Sequence, residues 1–180
     1  MSDSQITKRA LADAMKELMS VRPMKKISIG DIVERCNMNR QSFYYHFKDK
    51  YDLVNWIYYT EFVVKVKDNL SMTSWEFLEK ICEYFYDNKK FYTNAFKVSG
   101  QNSFSEYFVE VLHPILIVHL NDVFNKKKNV DFYATFFADA IRVSIYRWLI
   151  EGAKIPPKEF VSLIKAALTG AAVKLVNDLY

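Results

Sequence analysis

The sequence predicts an all-α protein of about nine helices, with a small three-helix N-terminal head on a larger helical body. Three observations carry that expectation. The 180 residues hold only 4 Gly and 4 Pro, too little punctuation for the many turns of an all-β fold. Apolar residues recur every three to four positions along most of the chain, the period of an amphipathic helix. Residues suited to N-capping (Ser28, Asn39, Asp49, Ser74 and Asp131) stand just ahead of these apolar runs. At 51% hydrophobic, the chain can bury a core as one large domain or as a small one joined to a larger.

The first helix is expected from Ser4 to about Val21, with Leu11, Ala14, Met15, Leu18 and Val21 as its apolar stripe. Lys8 and Arg9 lie off that stripe on a solvated face. Arg22-Pro23 ends the helix, because the residue before proline is pushed out of the α region. Ser28 caps a short second helix to about Cys36, and Asp31 supplies negative charge at its dipole-positive end. Asn37 suits the positive φ of a tight turn. Asn39 caps a third helix from Arg40 to about Phe47, in which Phe43 and Phe47 point inward.

Two short helices about a tight turn make a helix-turn-helix, whose second helix lies in a DNA major groove. The side chains suit the task. Arg40 can form a bidentate pair with guanine and Gln41 with adenine, while Tyr44 and Lys50 can reach phosphates. Charge agrees: residues 1–50 carry 10 Lys/Arg against 6 Asp/Glu, and the remainder 15 against 15. The whole excess of +4 therefore sits on the head, where phosphate binding would need it.

The stretch Ser28, Asp31-Ile32, Cys36-Asn37-Met38 and Tyr44-Tyr45-His46-Phe47-Lys48-Asp49-Lys50, followed by Asp52-Leu53, resembles the DNA-binding domain of the tetracycline-repressor (TetR) family of bacterial transcription regulators. It departs from the family pattern twice, with Asn37 at the usual turn glycine and Gln41 at the usual glycine of the recognition helix. The resemblance implies a helix-turn-helix DNA-binding domain over residues 1–50 and a helical regulatory and dimerisation domain over 51–180. The candidate DNA-binding residues are Ser28, Gly30, Asn39, Arg40, Gln41, Ser42, Tyr44, Tyr45, His46 and Lys50.

In the body, Asp49 caps a long helix to about Leu70. A break at Ser71–Ser74 precedes a helix over Trp75–Tyr86 capped by Ser74. Asp87-Asn88-Lys89-Lys90 reads as a polar turn, and Phe91–Val98 as a short helix. Ser103 or Ser105 then caps a helix over Phe104–Asn125, kinked at Pro114. Asn125–Asn129 is a charged loop, and Asp131 caps a helix to Glu151. That helix is apolar on two faces, one through Phe132, Phe136, Val143 and Ile150, the other through Tyr133, Phe137, Ile141, Ile145 and Trp148, so it needs two partners. Gly152 ends it. Pro156-Pro157 opens the last helix, which carries Phe160, Leu163, Ile164 and the small run Gly170-Ala171-Ala172.

Phe91-Tyr92, the run Gly100-Gln101-Asn102-Ser103-Phe104, and Arg147-Trp148-Leu149-Ile150-Glu151-Gly152 with Pro157 and Glu159-Phe160 resemble a subgroup that includes regulators of dihydroxyacetone-kinase operons. The family resemblance implies a homodimer through the last two helices on a near-palindromic operator. It also implies control by a small molecule or partner protein at the C-terminal domain. Tyr107, Phe108, His113, Arg142 and Tyr146 are the candidate ligand-binding residues.

Nothing points to an enzyme, a cofactor or a metal. His113 and His119 are six apart and face directions about 120° apart on a straight helix, poorly placed to share a metal. No Gly-rich phosphate loop or nucleophile motif is present. The polar start, the lack of a membrane-length apolar run and two cysteines read as reduced and structural (Cys36 and Cys82) predict a cytoplasmic protein with no membrane partner. The rival expectation is a helical protein-interaction module that has lost DNA reading.

Overall fold

The computed structural model describes residues 3–67, 73–123 and 129–167, and every regular element among them is helical. Helix α1 spans Asp3–Val21. It buries Leu11, Met15 and Met19, whereas Val21, expected on the buried stripe, is 81% exposed. The reason is angular: Leu11, Met15 and Met19 step by one turn each, and Val21 lies about 200° beyond Met19. A 3₁₀ turn at Met24–Lys26 then buries Met24 and Ile27.

Helix α2 (Ile29–Arg35) opens on a reciprocal cap. The Ser28 hydroxyl accepts the Asp31 N–H, and the Asp31 carboxylate accepts the Ser28 N–H. Asn37 turns the chain at φ 54°, and Asn39 caps α3 (Arg40–His46) by accepting the Ser42 N–H at 2.8 Å. Phe47 is already extended, so α3 ends one residue earlier than expected.

Helix α4 (Lys50–Tyr58) is capped by Asp49. It does not continue as the single regular helix the sequence predicts. A π-helical turn (Tyr59–Val63) intervenes before α5 (Val64–Lys67). Within that turn the Thr60 hydroxyl bonds back to the Trp56 carbonyl at 2.7 Å, a local competitor for the helical ladder. Residues 68–72, including the first half of the expected break, lie outside the described residues.

Helix α6 (Ser74–Asp87) is capped by Thr73, not by Ser74. A capping box needs a carboxylate three residues beyond the cap; Glu76 stands at that distance from Thr73 and accepts its N–H at 2.7 Å. The expected four-residue polar turn shrinks to Asn88, and α7 (Lys89–Phe96) begins at once. Gly100 and Asn102 turn at φ 119° and 66°. Ser103 then accepts the Glu106 N–H at the start of α8 (Phe104–Val123), which contains Pro114.

Helix α9 (Val130–Ile150) has Asn129 at its N-cap with no side-chain cap bond. Asp131, expected there, lies in the first turn and pairs with His113 of α8 at 3.3 Å. Gly152 and Ala153 leave α9 at positive φ. Residues 157–167 form α10, which begins directly after Pro156 as predicted. Residues 125–128 of the expected charged loop and the small-residue run at 170–172 lie outside the described residues.

One buried apolar cluster runs from Leu11 through Phe85 to Val161. Its centre is the Tyr58 ring, 5.3 Å from Phe104, 5.5 Å from Phe62 and 5.7 Å from Phe85. Helix α9 has the two apolar faces the sequence predicts. Ala138, Ile141, Ile145 and Trp148 are covered by the chain itself, while Phe132, Phe136, Val143 and Ile150 remain exposed.

Candidate nucleic-acid interface

Helix α3 is held from behind and presents its front. Phe43 and Phe47 are buried, and the edge of Trp56 meets Phe47 at 5.6 Å. With those rings fixed, Tyr44 and Tyr45 are 58% and 82% exposed, and Arg40 and Gln41 are exposed beside them. Asn39, Gln41, Ser42, Tyr45 and His46 border a depression of about 270 Å³ whose far wall is Thr7 of α1. Ser42 is partly committed, since its N–H and hydroxyl both bond Asn39.

Ser28 and Gly30 act through their neighbours. The Ser28 hydroxyl is spent in the cap of α2. A side chain at Gly30 would meet the Arg40 guanidinium at 3.2 Å and the Ser28 hydroxyl at 3.4 Å. Gly30 thus leaves room for Arg40 to rest over the first turn of α2. Asp31, in the same turn, has its carboxyl held down at about 2 by the Ser28 backbone and hydroxyl and by Arg22, whose Nη2 lies 2.9 Å away.

Lys50 differs from its expected place. Its ammonium donates to the carbonyls of Met24 (2.9 Å), Lys25 (3.4 Å) and Ile27 (2.7 Å). Partial burial lowers its pKa. Three protons meet three carbonyls, so in this conformation Lys50 clamps α4 to the turn before α2 and has no free donor for a phosphate. The exposed cations beside it are Lys25 and Lys26, which motif reading passed over; the basic surplus of the head was the only signal for them. Lys8 lies 5.8 Å from the ring centres of both Phe47 and Trp56, packed over the joint of α3 and α4.

Sequence reasoning also missed the ties between head and body. Lys16 of α1 pairs with Glu61 of the π turn at 2.7 Å. Glu61 accepts the Tyr84 hydroxyl at 2.9 Å, and Tyr84 meets the Tyr92 hydroxyl at 2.8 Å. Asn94 of α7 accepts the Met24 N–H and donates to the carbonyls of Met19 and Arg22. Partners this far apart in sequence leave no local pattern.

The five candidate ligand residues do not converge. Phe108 is fully buried, with its ring 5.6 Å from Phe85 and 5.7 Å from Phe96. Tyr107 and Tyr146 are half-buried at the edge of the same cluster. His113 pairs with Asp131, whereas Arg142 bonds Ser105 and Asp139. Ser105 and His113 are eight residues apart on α8, about 12 Å along its axis.

Comparison with known proteins bears on both parts of the chain. Residues 11–57 match the family described as bacterial regulatory proteins, tetR family, and residues 73–170 match a transcriptional regulator C-terminal region. The HTH-type dhaKLM operon transcriptional activator DhaS of Lactococcus lactis subsp. lactis (strain IL1403) is 28% identical over 134 residues, 74% of this chain and 69% of that protein. Among solved structures, a dihydroxyacetone kinase operon activator DhaS superposes with a TM-score of 0.64 at 24% identity, covering 94% of this chain and 97% of the other. A putative TetR-family transcriptional regulator from Syntrophomonas wolfei str. Goettingen gives 0.70 at 17% identity, covering 94% and 96%. These two solved structures share the fold. With the family patterns matching both the head and more than half of the chain, the protein belongs to the TetR family of bacterial regulatory proteins and is a DNA-binding transcription regulator.

Proposed function

We propose that the protein acts in the cytoplasm as a homodimer on a near-palindromic operator, with residues 1–50 reading DNA and residues 51–180 carrying dimerisation and control. Arg40 and Gln41 read base edges, Tyr44 and Tyr45 contact the backbone, and Asn39, Ser42 and His46 flank them at the start and end of α3. Ser28 and Gly30 position Arg40, and Lys50 positions the whole head. The observation that carries this reading is the exposed row Arg40, Gln41, Tyr44 and Tyr45 standing on a helix anchored by Phe43 and Phe47. An interaction module that had lost DNA reading would have no need of that row.

Dimerisation is supported by apolar side chains left uncovered on the last two helices. Phe132 and Phe136 are 67% and 57% exposed, Val143 and Ile150 continue the same helical period, and Leu163 is exposed on α10. Apolar surface of this kind on neighbouring helices marks an interface, and a two-fold pairing would join two heads for successive half-sites one or more helical turns apart. A small molecule or partner protein at the C-terminal domain would then act by its different affinities for two head spacings.

A fluorescence titration against the chain's own upstream DNA, beside an unrelated duplex of equal length, tests the reading. Specific binding tighter by about a thousandfold or more is expected. Arg40→Ala or Gln41→Ala should cost about 1–3 kcal/mol and relax sequence choice. Light scattering should give twice the 21.2 kDa chain mass. Equal weak binding to both duplexes, together with a random-sequence selection that returns no motif, would overturn the assignment of these residues.

A further inference from the structure

A groove of about 440 Å³ runs between the C-terminal end of α1, helix α7 and the end of α9. Its rim is basic, with Arg22, Lys89, Lys90 and Lys97, and no carboxylate is among its lining residues. Met19, Val21 and Leu149 give it an apolar wall. A neighbouring depression of about 350 Å³ shares Ser20, Lys89 and Lys90 with it and covers the start of α7, with Asp87 at its edge.

Three features equip this place for an anion. Helix α7 has no side-chain cap, and the Asn88 amide donates back to the Tyr84 carbonyl, so the first turn of α7 presents its positive dipole end to the depression. No ion pair joins Lys89, Lys90 or Lys97 to a carboxylate among the described residues. The Arg22 guanidinium pairs with Asp31 through Nη2, yet its buried Nε has no hydrogen-bond partner among the described residues. DNA is a poor occupant. The DNA-facing residues of α3 lie beside Thr7 at the other end of α1, about 21 Å from Val21 along the helix axis.

The floor of the groove is also where the head is fastened. Thr93 and Asn94, adjacent residues of α7, both line it. Asn94 holds the Met19 and Arg22 carbonyls and the Met24 N–H, all at 2.8–3.1 Å. Thr93 bonds the Leu149 carbonyl at 3.4 Å, at the end of α9. One short helix therefore ties the reading head on one side and the helix with the uncovered apolar face on the other.

We propose that this basic groove is an effector site for a small phosphate- or carboxylate-bearing molecule with an apolar body, read by the head through Asn94. Its volume falls within the range of small-molecule sites. An anion drawn to Lys89, Lys90 and Lys97 would rest against Thr93 and Asn94 and favour one setting of α7 over another. The regulatory half rests on the operator-binding reading; the binding half does not.

The test uses the full-length ¹⁵N-labelled protein without DNA. Inorganic phosphate and citrate are titrated separately at constant ionic strength while the Asn94 side-chain amide and the Lys89 and Lys90 backbone amides are followed. Saturable shifts at these signals are expected, and the tighter anion identifies the class. The double variant Lys89→Ala/Lys90→Ala, in which both residues are exposed, should keep the melting temperature and lose the saturation. Operator affinity should then change by about fivefold or more with the anion in the parent protein and not in the variant. Linear shifts, or saturation that survives in the variant, overturn the site. Saturable binding that leaves the Asn94 amide and operator affinity unmoved overturns its regulatory role.

Discussion

The head and the body are held together by different physics. In the head, residues 28–50 form short helices whose ends are closed by named polar bonds: the Ser28–Asp31 box, the Asn39 cap, and the Lys50 ammonium on three carbonyls. The body is centred on packed rings, with Tyr58, Phe85, Phe104 and Phe108 all buried and within about one ring width of each other. The contrast suits a reader. Polar bonds fix direction, which a recognition helix needs, whereas aromatic burial supplies bulk stability with little demand for one angle.

The largest effect is expected from emptying the body. Phe85→Ala removes a ring that touches Tyr58, Tyr92, Phe96 and Phe108. It should cost about 3–5 kcal/mol in a denaturant titration. Because one buried cluster joins head and body, both should unfold in a single transition. Two separated transitions would show that the head stands on its own polar bonds.

In the head, a smaller loss is expected from Lys50→Met. It strips three carbonyls of their charged donor at a site still partly in contact with solvent. A loss of about 2 kcal/mol of stability is expected after allowance for screening. Operator affinity should fall for all sequences alike, with the salt dependence unchanged. A salt slope lower by about one would instead mean that Lys50 meets a phosphate when DNA is bound.

The difference between the regions also explains what could be read in advance. Caps and turn residues act within four positions, so Ser28, Asn37, Asn39 and Asp49 could be assigned from the sequence with their roles, and the structure agrees. Phe43 and Phe47 followed from spacing alone. The misplaced caps at Ser74 and Asp131 came from weighing one residue at a time: Thr73 wins through Glu76, and Asp131 turns to His113. Lys50 and Asn94 were illegible in a different way. Their partners lie 23–26 and 70–75 positions away, and no local period encodes such bonds. The Glu61–Tyr84 bond spans 23 positions and is as non-local as that of Lys50, and Phe108, a candidate ligand residue in the sequence, is buried in the core.

A smaller effect of opposite sign is expected at the centre of the rings. The Tyr58 hydroxyl is buried with no hydrogen-bond partner among the described residues, and burial raises its pKa. Tyr58→Phe keeps the ring and deletes the unpaired group, so it should stabilise the protein by about 1 kcal/mol. A loss of stability on the same scale would show that the hydroxyl is satisfied in solution, and that the body too relies on a directed polar bond.

The finest comparison sets one capping box against the other. Asp31 closes the box of the head and Glu76 that of the body, and hydrogen bonds from Ser28 and Thr73 respectively hold both carboxyls below their ordinary values. For Asp31 the folded value is about 2 against an ordinary 3.8. Between those values the unfolded chain binds more protons than the folded one, so stability rises with pH through the window. The contribution is complete above 3.8 and disappears as the pH falls through about 2. Asp31→Asn removes that titration while keeping a side chain that can accept the Ser28 N–H. The variant should therefore melt below the parent at pH 5, and the gap should narrow as the pH approaches 2. Arg22 adds to the depression at Asp31, whereas no cation contributes at Glu76, so Glu76→Gln should narrow the gap over a shorter span. Equal spans for the two variants would mean that Arg22 adds nothing in solution, and that the two caps differ only in where they sit.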